Sequence, residues 1–426
     1  MDLSDTSAGT HVSDRNGSII DEFRRVRAES EALCAPLEIE DYGIQTMPDV
    51  SPPKWHLAHV SWFFETFVLK PFARDYAEFR PKFAQLFNSY YETVGSYHPR
   101  PERGLLARPT VAEVFAYRRH VDEAVMRLLT DPPAPCAEEI RRRVRLGLNH
   151  EQQHQELLVT DIKHIFAYNP LRPVYHAGRA PRRTAPKPDW IGFPSGLYEI
   201  GHAGDGFGFD NEFPRHRVFV QAFLLASRPV SNAEYLAFME AGGYRRAELW
   251  LSAGWKQVRD AGWDRPLYWE HAAGGWEHMT LAGWTPLDPD APVCHLSYFE
   301  ADAYARWCGK RLPTEMEWEV AAARLPVQGN FAASGWLQPA AAARSGLAQM
   351  YGDVWEWTSS AYAAYPGYRP PGGALGEYNG KFMCGQFVLR GGSCATPDGH
   401  VRASYRNFFY PHDRWQFSGL RLADDF

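Results

Sequence analysis

Apolar side chains recur at intervals of three and four residues in four stretches of the first 165 positions, the period of an amphipathic helix. The first is IIDEFRRVRAESEAL, residues 19–33. A second helix is announced by Ser51 followed by Pro52 and Pro53. That order places a capping residue ahead of two prolines whose fixed φ suits a first turn. The helix would run on through WHLAHVSWFFETFVLK. The third opens at Thr110, with Glu113 three residues on as in a capping box and Val114, Tyr117, Val121 and Val125 at helical spacing. The fourth covers about residues 137–166. Four such helices with connections of varied length predict a four-helix bundle over residues 19–168, with residues 1–18 as a disordered N-terminus.

The periodicity stops at Asn169, where Pro170, Pro173, Pro181, Pro186 and Pro188 stand among basic residues and predict a linker over 169–189. The texture then changes. Of the 15 tryptophans, 13 lie in residues 190–426, among many glycines and short strand-like runs such as HRVFVQAFLLA and FVLRGG. Only residues 231–241 and 298–309 read as helices there. The expectation is a single loop-heavy α+β domain without internal repeats, and an α+β, two-domain fold class for the whole chain.

Charge and composition narrow the partners. The 426 residues carry 45 Lys+Arg against 51 Asp+Glu, a net charge of -6 spread without a basic stripe. That balance argues against nucleic acid, whose phosphates call for clustered cations. The densest basic run, Arg141–Arg143 with Arg145, reads as a solvated helix face. No run of about 18 apolar residues exists to span a membrane. The polar start, MDLSDTSAGTHVSDRNGSII, resembles no secretory signal and leads us to expect a cytoplasmic protein. The six cysteines are scattered without a CxxC pair, which fits neither a zinc ribbon nor a disulfide scaffold.

Chemistry concentrates in the bundle. In NHEQQHQE on the fourth helix, His150 and His154 are four apart, so both imidazoles face one side and can share a metal. HEQQH also satisfies the HExxH spacing of zinc peptidases, which keeps Glu151 open as a general base. A third ligand would separate the two readings. The second helix offers His56 and His59 in WHLAH, and bundles build metal sites from facing helices.

At this point the chain resembles a known family. SPPKWHLAH, NSYYETVGSYHPRPERGLLARPTVAEV and NHEQQHQELL are similar to the DinB-like bundle of the ergothioneine sulfoxide synthases. SRPVSNAEYLAFMEAGGY, KRLPTEMEWEVAAA, GDVWEWTSS and VLRGGSCATP resemble the formylglycine-generating-enzyme-like, C-type-lectin-like domain that follows it in that family. The family consists of non-haem iron enzymes that use O2 to join a cysteine-type thiol to C2 of the imidazole of Nα-trimethylhistidine (hercynine), leaving a sulfoxide.

The resemblance implies Fe(II) on His59, His150 and His154, with hercynine, cysteine and O2 as small-molecule partners. Three neutral imidazoles leave open positions for the reactants but suit zinc as well. His56, three residues before His59 and so about 60° off its face, is not expected to ligate. The resemblance further implies that Gln153 hydrogen-bonds the bound histidine ring and that Tyr90 or Tyr91 supplies a proton near the metal. Arg100 and Arg103 would clamp the thiol substrate's carboxylate through their guanidinium forks. Asn407, with Phe408 and Phe409, would receive the trimethylhistidine backbone end. In the branch using γ-glutamylcysteine the residue two after that asparagine is acidic; here it is Phe409, which points to free cysteine.

Other readings stand beside this one, a zinc-dependent thiol transferase of the DinB type among them. A selenoneine synthase would replace cysteine by a selenosugar, which has no carboxylate for Arg100 and Arg103. A non-catalytic DinB-type metal or thiol-binding protein would bind without turnover. A formylglycine-generating activity needs a nearby cysteine pair late in the chain, whereas Cys384 and Cys394 stand ten apart and are expected to be buried structural thiols.

Overall fold

The computed structural model describes residues 8–426 except residue 205. It divides into two compact units, Met1–Ile165 and Phe166–Phe426. Helix α1 is Ala8–Cys34, so it begins ahead of the expected residue 19; residues 1–7 of the segment expected to be disordered lie outside the described residues. Helix α2 (Pro53–Phe64) continues through a π turn, Glu65–Leu69, into the short α3 (Lys70–Phe72). After α4 (Phe83–Phe87) come α5 (Val111–Thr130) and α6 (Ala137–Tyr168). Among the described residues no helix is long and apolar enough to cross a membrane.

The Thr110 capping box forms as its sequence requires: Thr110 Oγ1 accepts from the Glu113 N–H at 3.2 Å, and the Glu113 carboxylate accepts from the Thr110 N–H at 2.9 Å. Ser51 behaves differently from expectation. The residue at the cap of α2 is Pro52, with no side-chain cap. Ser51 instead donates its backbone N–H to Asp161 Oδ2 at 2.8 Å, and its hydroxyl accepts from Arg103 at 2.9 Å. Two prolines already pre-set the first turn, so the hydroxyl is available for tertiary contact.

Every residue of α2 is buried, which makes it the central helix of the unit. Helix α6 approaches it closely at Gly147, where a Cβ would lie 2.5 Å from the Phe64 ring. Gly147→Ala should therefore push α2 and α6 apart and destabilise the bundle by about 1–3 kcal/mol, the usual cost of overpacking. Thermal unfolding compared with a substitution at exposed Glu138 would measure it.

A buried ion cluster ties α1, α5 and α6 together. Glu151 accepts from Arg118 at 2.6 Å, Arg27 at 2.9 Å and the Ser30 hydroxyl at 2.6 Å. Arg27 also reaches Asp122 at 2.6 Å and Ser61 on α2 at 2.9 Å. Arg141–Arg143, by contrast, pair with Glu138 and Glu139 on their own helix.

The second unit is rich in short strands. β1 (Trp190–Phe193), β4 (Phe223–Ala226) and β12 (Ala423–Asp425) form an antiparallel sheet centred on β4. β2 (Gly196–Ile200) pairs with β3 (His216–Val220). β5 (Trp269–Ala272), β6 (Gly275–Thr280) and β7 (Gly283–Pro286) make a meander. The remaining sheet has the order β10 (Asn407–Phe409), β9 (Phe387–Arg390), β8 (Trp355–Ala361), β11 (Ser418–Gly419), with only β8 and β11 parallel.

Among the described residues four α-helices accompany these sheets rather than the two expected: α7 (Asn232–Glu240), α8 (Ser252–Ala261), α9 (Tyr298–Trp307) and α10 (Glu315–Ala322). Helix α10 starts with a full capping box, Thr314 with Glu317. Its eight residues are nearly all buried, so no polar face betrays the helical period. Its Glu315 holds two buried guanidiniums, Arg390 and Arg406, each at 2.9 Å. Cys394 is buried, but Cys384 is exposed, which corrects the expectation of two buried thiols.

Candidate metal centre

Helix α2 presents His59 and helix α6 presents His150 and His154, and one ring nitrogen from each lies within 4.8 Å of the others. The ring centroids are 5.0 Å apart for His59 and His150, 4.7 Å for His59 and His154, and 4.6 Å for His150 and His154. The i, i+4 spacing on α6 and the buried α2 bring together the three residues that the sequence singled out.

The tautomer of His59 is fixed by its surroundings. Its Nδ1 is 2.6 Å from the Phe87 carbonyl at the end of α4. A carbonyl only accepts, so Nδ1 carries the proton and Nε2 keeps its lone pair. That Nε2 is buried and has no hydrogen-bond partner among the described residues. Leaving such an atom unpaired is costly unless a cation takes it up.

Burial also keeps the rings neutral. Desolvation, with His150 next, holds His59 well below the usual histidine range. Desolvation and then the neighbouring rings do the same for His154. His150 is pushed down to about 3 by burial, against the pull of the Glu151 carboxylate. Three neutral imidazole nitrogens with an orphaned lone pair fit a divalent cation of the Fe(II) or Zn(II) kind.

The His59 ring is sandwiched between indoles. Trp55 stacks on one face at 4.5 Å and 12°, and Trp62 lies nearly parallel at 5.5 Å and 14°. The Arg103 guanidinium sits 3.4 Å from the Trp55 ring centroid, extending the column with a cation–π contact. His56 is not part of the ligand group. Its Nδ1 lies 2.9 Å from His154 Nδ1 and its Nε2 2.9 Å from Asp161 Oδ2.

Glu151 cannot act as the base of an HExxH site. Both its oxygens are consumed by the buried Arg118, Arg27 and Ser30 donors. Burial works to raise its pKa, but the two guanidiniums outweigh burial and hold the carboxyl below its usual range.

The remaining predicted residues fall into three groups. Tyr91 is fully buried, its ring 5.5 Å from Trp62 and 5.2 Å from Phe67, while Tyr90 is half-buried and stacks on it at 4.6 Å. Asn88 pins this loop by accepting from the Tyr91 N–H and donating to the Tyr91 and Gly95 carbonyls, each at 3.0 Å. Gln153 is half-buried beside His154.

The two arginines differ. Arg103 is 4% exposed, and its Nε has no partner among the described residues. Burial, then Arg100, lowers its pKa well below the usual guanidinium value, opposed by Asp161. Arg100 is exposed and bonds the Asp49 carbonyl.

Asn407, Phe408 and Phe409 form β10 in the second unit, all half-buried. Asn407 accepts from the Phe408 N–H at 2.9 Å; Phe408 stacks on Tyr362 at 4.0 Å and Phe409 meets Trp415 edge-on at 6.1 Å.

Several participants escaped the sequence reading: Trp62, Asn88, the Phe87 carbonyl and Asp161. Asp161 had a signal, because it follows His154 by seven residues, two helical turns on the same face. A backbone carbonyl on a five-residue helix leaves none.

Comparison with known proteins places these units in families. Residues 22–158 match the family model of the DinB superfamily, and residues 176–345 and 338–426 match that of the sulfatase-modifying factor enzyme 1-like domain. The chain is 32% identical over 419 residues to the hercynine oxygenase of Mycolicibacterium thermoresistibile, covering 89% of this chain and 88% of that protein. It is 31% identical over 445 residues to the hercynine oxygenase of Mycolicibacterium smegmatis, covering 96% and 99%. It is 30% identical over 287 residues to the formylglycine-generating enzyme of Streptomyces coelicolor, covering 55% of this chain and 88% of that one.

Proposed function

Because the chain belongs to the family of the hercynine oxygenases, we propose that it joins cysteine to C2 of the hercynine imidazole with O2, giving the sulfoxide, with Fe(II) held by His59, His150 and His154. The reaction balances as one C2–H, one S–H and O2 going to a C2–S bond, one sulfoxide oxygen and water. The observation that carries this reading is the cluster of three ring nitrogens within 4.8 Å, two of the residues buried and His154 half-buried. Iron, when bound there, would supply open coordination positions and the activation of O2.

The chain's own residues do the rest. Neutral, stacked imidazoles hold the metal without adding charge. Arg103, with a buried N–H to spare, is suited to the thiol substrate's carboxylate, and Arg100 stands three residues before it on the same turn. Gln153 would orient the hercynine ring. Phe409 leaves no acidic partner for a glutamyl amine, so free cysteine is the proposed donor rather than γ-glutamylcysteine.

Tyr91, or Tyr90 stacked on it, would hold a phenol proton for delivery during oxygen reduction. A thiolate has a competing fate, oxidation of its own sulfur to a sulfinic acid. Phenylalanine keeps the ring and removes the O–H, so Tyr91→Phe, Tyr90→Phe or the double variant should retain metal and both substrates yet shift product from sulfoxide toward cysteine sulfinic acid. A wild-type product ratio in all three would make the pair packing residues.

The decisive test is aerobic incubation of the Fe(II) protein with hercynine and, separately, cysteine, γ-glutamylcysteine and a selenosugar, read by mass spectrometry. The cysteine sulfoxide should dominate. A selenosugar adduct, or binding without any adduct, would replace this reading by one of its rivals.

A further inference from the structure

We propose that His56 and Asp161 form a relay that orients His154 toward the metal, which makes His56 a positioning residue rather than a bystander beside the ligands. The inference rests on the metal reading of His59, His150 and His154.

The hydrogen bonds can be assigned one atom at a time. Asp161 is 2% exposed, and its Oδ2 accepts from the Ser51 backbone N–H at 2.8 Å. The same oxygen lies 2.9 Å from His56 Nε2, so as a carboxylate it accepts there too and His56 carries its proton on Nε2. A metal on His154 Nε2 needs the His154 proton on Nδ1, which lies 2.9 Å from His56 Nδ1. The proposed relay therefore has His154 donate from Nδ1 and His56 accept with the Nδ1 lone pair left by its proton on Nε2. The chain Ser51, Asp161, His56, His154 therefore ends in the tautomer that a metal ligand needs.

The same logic governs His59 through the Phe87 carbonyl. Two of the three ligands thus have their inner nitrogens held by an acceptor, one directly and one through a second imidazole. Outer partners of this kind raise ligand basicity and fix ring orientation, and their loss costs about 10–100-fold in metal affinity. The relay also ties the N-terminal end of α2 to α6 seven residues beyond His154, so Asp161 is set by both helices that supply ligands.

The test uses the full chain and Co(II) as the probe, under anaerobic conditions. His56→Leu, which keeps bulk and removes both hydrogen bonds, should weaken Co(II) binding about 10–100-fold and alter the visible Co(II) bands. His56→Gln can accept from His154 and donate to Asp161 through one amide, and should recover most of the affinity. If His56 only fills space, His56→Leu will bind Co(II) like the wild type and His56→Gln will do no better; that outcome overturns the relay.

An independent measurement needs no variant at His56. In the metal-free, 15N-histidine-labelled protein, the His154 signals, identified by their loss in His154→Gln, should show the proton on Nδ1. A proton on Nε2 would overturn the assignment. Should the wild type bind no Co(II) at all, the metal reading itself fails, an outcome distinct from failure of the relay.

Discussion

Alanine at His59, His150 or His154, one at a time, is expected to abolish metal retention, a larger loss than the 10–100-fold or so that follows removal of an outer partner. The reason lies in the geometry: no fourth donor among the described residues stands in the group to replace a missing nitrogen. A metal on these three residues would also join α2 to α6, so its binding would be linked to folding. At a free Fe(II) concentration one hundred times its dissociation constant, the wild-type bundle should gain about 2.7 kcal/mol. That corresponds to roughly 5–11 °C in the transition that unfolds the bundle. Thermal unfolding with and without Fe(II), under argon, together with metal analysis of each variant, reads both effects. Full iron occupancy in any one of the three variants would show the ligand set to be wrong.

The second large effect is expected away from the metal, at Arg118. Replacing it by methionine leaves Glu151 buried at 0% exposure with one of its two guanidinium partners gone. Breaking a buried pair from one side typically costs 3–5 kcal/mol, as an order-of-magnitude figure, a large share of the roughly 5–15 kcal/mol that stabilises a whole domain. The control is Arg142→Ala, which removes an exposed partner of Glu139 and should cost at most about 1 kcal/mol. Urea unfolding midpoints of the two variants make the comparison. Similar small shifts in both would mean that the cluster is not what holds α1, α5 and α6 together.

The bundle was legible because its helices are long and carry their own stop and start signals. Thr110 with Glu113 is a complete local instruction, and the structure obeys it. His150 and His154 share a helix face by covalent spacing alone, so their pairing follows from the sequence without any knowledge of packing. His59 needed a facing helix, and only the resemblance singled it out ahead of His56.

What escaped is what depends on tertiary partners. Ser51 was read as a cap because local rules favour it; the structure gives that hydroxyl to Arg103 instead. Glu151 satisfied a peptidase motif by spacing, and nothing in HEQQH reveals that Arg27 and Arg118, from two other helices, would claim its carboxylate. Helix α10 was missed for a related reason: a short helix buried on nearly all sides has no amphipathic period to detect.

The stacking of Trp55 and Trp62 on either side of His59 has an optical consequence. Only these two of the 15 tryptophans precede residue 190, so the first unit's entire indole emission arises from rings in contact with one proposed metal ligand. A paramagnetic ion seated on His59 would darken that pair. Loading of the proposed site would then read out as a saturable step in fluorescence, needing no dye and no turnover.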